Sequence, residues 1–138
     1  MRAEELLRKA REGLRTVEAI NARREYYMDL ATRITRVPTK TPGGRRRRAD
    51  KIGECAVALA DLERELAASL KEALAIVSSA EKVLDRVTPR RREAAAAYFL
   101  TTLSHSEVAE KLDVQERTIY KLLAAALDEL QDVHVDDA

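Results

Sequence analysis

The chain has 138 residues, 46% hydrophobic and 36% charged but only 4% aromatic, with four glycines and a formal charge of +1. Ala, Leu, Glu, Arg and Lys dominate, a composition of long helices that excludes a sheet protein. So few large apolar side chains make a thin core, and the expected solution is elongated helices packed side by side, in an oligomer and most simply a dimer.

From the N-terminus, residues 2 to about 35 read as one helix. Leu6, Ala10, Gly13, Val17, Ile20, Arg24, Tyr27, Ala31 and Ile34 are spaced alternately four and three apart, the period of a helix seam. Arg24 interrupts that seam and calls for a partner or a head group that reaches water. The opening MRAEELLRKAREG lacks the apolar block of a signal peptide. No stretch reaches the roughly 18–20 apolar residues of a membrane span. With Cys55 as the single cysteine, no internal disulfide is possible and a reducing, cytoplasmic location is expected.

The helix should stop before Val37-Pro38, because a residue preceding proline avoids helical geometry. Residues 38–49, PTKTPGGRRRRA, read as a flexible basic loop, in which Arg45, Arg46, Arg47 and Arg48 are either phosphate contacts or solvated charges. A second long helix follows from Asp50 to about Val87. Its seam runs through Ile52, Cys55, Leu59, Leu62 and Leu66. The apolar face then moves to Leu70, Leu74, Val77 and Leu84, as if four residues had been inserted. Residues 1–87 thus form a long antiparallel helical hairpin, coiled-coil-like. Thr88 and Pro89 suit the N-cap and first position of a new helix.

Residues 88–131 carry the functional signal. In HSEVAEKLDVQERTIYKLLA, His105 to Ala124, Ala109 is the small residue that two steeply crossing helices require. Val108 and Leu112 face inward from the first helix, Val114 follows the turn, and Ile119 and Leu122 anchor the second. Asp113 stands where the turn prefers a positive φ, a region Asp visits more readily than most residues. The pattern is a helix-turn-helix. Its second helix turns Gln115, Glu116, Arg117, Thr118, Tyr120 and Lys121 outward, where Gln pairs with adenine, Arg with guanine, and Lys with guanine or phosphate. Arg90, Arg91 and Arg92 open the preceding helix and suit backbone phosphate.

The stretch AAAAYFLTTLSHSEVAEKLDVQERTIYKLLAAALDEL resembles the fourth region of bacterial sigma factors. Together with ATRIT, TPGG, DKIGE and ALADLERE upstream, the chain up to Leu130 resembles small phage and prophage transcriptional regulators related to ArpU and RinA. The resemblance implies regulation of phage late genes, with double-stranded DNA and RNA polymerase as partners.

Charge runs against the simplest DNA-binding account. Residues 1–88 hold 19 basic and 14 acidic side chains, whereas residues 89–138 hold 6 and 10, including an acidic tail over 132–138. Because phosphate neutralisation supplies most non-specific affinity, the C-terminal module needs help from oligomerisation, the basic arm or polymerase. Two other readings stand beside regulation: a small terminase-like packaging protein, or a protein-interaction module that never touches DNA.

Other chemistry is not expected. His105, His134 and Cys55 are too scattered in sequence to suggest a metal site. Glu107 and Glu110 read as exposed solvating charges. No phosphate loop, nucleophile elbow or paired catalytic carboxylates occur, so neither enzyme activity, a cofactor nor a small-molecule substrate is expected. Tyr98 and Phe99 are assigned to a small core, and Tyr120 either stacks, touches phosphate or rests on its helix.

Overall fold

A computed structural model describes residues 1–36 and 42–135, with side chains over 1–34 and 47–135. All regular elements among them are helices: α1 (Ala3–Arg36), α2 (Pro42–Leu84), α3 (Pro89–Phe99), α4 (His105–Lys111) and α5 (Glu116–Glu129). The expected all-α architecture, a long helical hairpin followed by a helix-turn-helix, is the one observed. Glu4 and Glu5 in the first turn of α1 favour its positive end.

The seam read on α1 holds throughout. Every position from Leu6 to Ile34 in that series is buried or half-buried. Its polar member, Arg24, meets Glu63 of α2 at 3.5 Å.

Of two expectations on α2, one is overturned and one holds only in part. The loop assigned to 38–49 gives way to helix from Pro42, while residues 37–41 lie outside the described set. The first helical turn has no intrahelical N–H bonds for proline to remove, and the following arginines are good helix formers. Arg47 is exposed and Arg48 half-buried. The move of the seam after Leu66 holds only in its second half, where Val77 is half-buried and Leu84 fully buried. Leu70 and Leu74 are left 40% and 55% exposed, and the unshifted repeat through Ser69, Ala73, Ile76, Ala80 and Val83 is buried or half-buried throughout. Small side chains explain this: a Cβ placed on Gly13 would lie 3.5 Å from the Ala73 Cβ, so here the helices meet close to their backbones.

The described chain forms two compact units. One unit joins residues 1–15 to 70–138; the other comprises residues 16–69. The first holds the main core, in which Leu7, Leu84, Val108 and Ile119 are fully buried from α1, α2, α4 and α5. Its two ends are also tied by backbone bonds, from Ala3 N to Val133 O (3.0 Å) and from Val135 N to Met1 O (2.8 Å). His134, within the acidic tail, pairs with Arg2 in an antiparallel bridge. Residues 136–138 lie outside the described set. In the second unit Ile20, Cys55 and Leu62 are buried, and Cys55 is a free thiol.

Candidate nucleic-acid interface

The interface is built on α4, its turn and α5. Ser104 and Glu107 form a capping box. The Ser104 hydroxyl accepts from the Glu107 N–H at 3.2 Å, and Glu107 Oε1 accepts from the Ser104 N–H at 3.2 Å. Two otherwise orphaned donors are thereby satisfied. The spacing Ser104-x-x-Glu107 was the available sequence signal, and it gives Glu107 a role beyond solvation.

At the other end of α4, Asp113 adopts φ 54°, the one positive φ among described non-glycine residues. The Val114 N–H reaches Ala109 O at 3.0 Å and the Asp113 N–H reaches Glu110 O at 3.2 Å. These are the paired bonds of a Schellman motif, which reverses the chain within two residues. Buried Ala109 beneath the crossing keeps α4 and α5 in close contact.

The turn delivers Gln115 as the N-cap of α5 and leaves Gln115, Glu116, Arg117, Tyr120 and Lys121 exposed, with Thr118 half-buried. The inward stripe runs Ile119, Leu123, Ala126 and Leu130. Leu123, not Leu122, is therefore the second buried anchor; it lies four residues after Ile119, one turn along the same face.

Of the three arginines opening α3, Arg90 is exposed, while Arg91 and Arg92 are half-buried. Arg91 lies 3.6 Å from Glu129. That carboxylate also accepts from the Thr88 hydroxyl at 2.5 Å and the Thr88 N–H at 3.3 Å. Thr88 occupies the expected N-cap position, but its side chain donates to Glu129 and makes no cap bond within α3. The Thr88 hydroxyl, and secondarily Arg91, hold the Glu129 carboxyl below the usual carboxylate range. Arg92 borders an open hollow with Glu81, Asp85 and Glu93.

One constellation was not foreseen. Arg11, 7% exposed, donates through Nη1 to Tyr98 O at 2.6 Å and Thr101 O at 2.9 Å, and its guanidinium carbon lies 3.9 Å from the Tyr98 ring centroid. Tyr98 stacks on His105 and His105 on Tyr120, each pair with centroids 4.3 Å apart. Burial and the nearby Arg11 charge push the His105 imidazole below its ordinary value, and Glu116 partly opposes them. The available sequence signal was Arg11 itself, a charge one turn after Leu7 on the apolar flank of α1.

A family model described as ECF sigma factor matches residues 7–135. None of the curated proteins or solved structures compared matches the chain. No described helix is long and apolar enough to cross a membrane.

Proposed function

Starting from the chain's membership of the ECF sigma factor family, we propose that its α4–turn–α5 unit reads duplex DNA through Gln115, Arg117, Thr118, Tyr120 and Lys121. The protein is a sigma-factor-like DNA-binding transcription regulator. The observation that carries the residue-level reading is the Schellman turn at Asp113, which sets an exposed polar first turn of α5 directly after a tightly packed α4. In the proposed complex Arg117 addresses a guanine edge, Gln115 an adenine, and Lys121 guanine or phosphate. Arg90 contacts the backbone, and Arg45 to Arg48 add phosphate contacts. RNA polymerase is the proposed protein partner, and the acidic charge of residues 89–138 favours docking on a basic surface. The likeness of ATRIT, TPGG and DKIGE to phage regulators supports late-gene control as the narrower role. The chemistry is binding, without catalysis.

Fluorescence anisotropy against duplex DNA flanking the protein's own gene, across a salt series, tests this reading. Salt-sensitive binding that the Arg117→Ala, Lys121→Ala double variant loses is the expected result. Arg117→Ala alone should cost about 1–3 kcal/mol, the worth of one bidentate base contact. Absence of binding even at low salt would leave polymerase contact as the function of the module.

A further inference from the structure

The unforeseen stack draws one residue from each of four helices: Arg11 from α1, Tyr98 from α3, His105 from α4 and Tyr120 from α5. Two groups centred about 4 Å from one ring cannot share a face of it. Arg11 and His105 therefore cover opposite faces of Tyr98, and Tyr98 and Tyr120 opposite faces of His105. The order is a column. Its base is buried and hydrogen-bonded; its far end, Tyr120, is 52% exposed, next to Lys121 and one turn from Arg117.

We propose that His105 is a positioning residue for DNA reading, holding the Tyr120 ring at a fixed angle on the exposed face of α5 so that the ring meets DNA already ordered. This deepens the DNA-reading proposal and rests on it. The planes of His105 and Tyr120 lie 17° apart, a stacked arrangement that restricts rotation of the tyrosine side chain. An unsupported aromatic side chain loses that freedom only on binding, at the expense of affinity. Tyr98, clamped between His105 and Arg11, keeps the imidazole from following Tyr120 outward.

The test is a double-mutant cycle on duplex DNA enriched from a random pool by the wild-type protein, with melting temperatures recorded for every variant. His105→Ala should weaken binding about two- to twelvefold, the range for ordering one side chain. His105→Phe, which restores a stacking ring, should bind like the wild type. Tyr120→Ala should weaken binding at least as much as His105→Ala, and adding His105→Ala to it should weaken binding no further. Non-interaction in that cycle, shown by additive losses, overturns the proposal even if the alanine variants melt earlier. So does a His105→Phe protein as weak as His105→Ala. Enrichment by the wild type with unchanged affinity in His105→Ala overturns this inference alone; failure of the wild type to enrich any duplex overturns the DNA reading with it.

Discussion

The Arg11 guanidinium carbon lies over the Tyr98 ring, 3.9 Å from its centroid, and the same group donates to the carbonyl oxygens of Tyr98 and Thr101, so α1 closes the C-terminal end of α3. Carbonyls at a helix end lack intrahelical partners, and the negative end of the dipole favours a cation. Arg11→Ala removes both bonds and the packed side-chain stem, and should cost about 2–4 kcal/mol in urea unfolding. Arg11→Lys should recover only part of that, since a compact ammonium cannot cover the ring while reaching both oxygens. Wild-type stability in Arg11→Ala would reduce the contact to an incidental one.

Asp113 is expected to be a strained residue at a required turn. Its positive φ disfavours side chains with a Cβ, though Asp suffers less than most. Asp113→Gly should leave the fold intact and raise stability by up to about 1 kcal/mol. Asp113→Val, β-branched at the same φ, should lose at least about 1 kcal/mol. Thermal unfolding of the pair decides it, and equal melting temperatures would show that the turn does not constrain this position.

What the sequence made legible follows from which signals it carries. Period and turn chemistry exposed α1, the helix-turn-helix, Ala109, Asp113 and the outward residues of α5. Bulk is a sound guide at Val77 and Leu84, which are buried or half-buried, but misleads at Leu70 and Leu74, which stay exposed while the smaller Ser69, Ala73 and Ala80 take the seam because small residues admit close helix approach. Pro42-Gly43-Gly44 reads as a break by composition, although proline suits a helix start. The Arg11–Tyr98–His105–Tyr120 column joins residues as far as 87 positions apart in its first contact, and no local pattern encodes such a meeting.

The close approach at Gly13 makes a graded expectation. A methyl there meets Ala73 at ordinary contact distance, so Gly13→Ala should fit and gain about 0.5–1 kcal/mol from helix propensity. Gly13→Leu must push the helices apart and should cost about 1–3 kcal/mol. Denaturant midpoints that rank the two variants in the opposite order would contradict the seam through Ala73.

The column also sets a pH dependence whose sign can be worked out. Burial first, then Arg11, disfavours a proton on His105, against the weaker pull of Glu116. The facing groups are Arg11 from α1, Tyr98 from α3, and Glu116 and Tyr120 from α5; Glu107, on its own helix, acts on Arg11. An imidazole that resists protonation in the folded state contributes its full stability above the ordinary value of about 6.5. That contribution is lost as pH falls through this value toward the lower folded one, and is constant below it. Melting temperature should therefore fall as the pH drops through about 6.5, above the range where most carboxylates titrate. His105→Phe should remove that part of the fall while keeping the stacked ring. A melting temperature that instead rises on acidification, with the rise abolished in His105→Phe, would mean that the two tyrosine faces hold the imidazolium more strongly than burial and Arg11 oppose it.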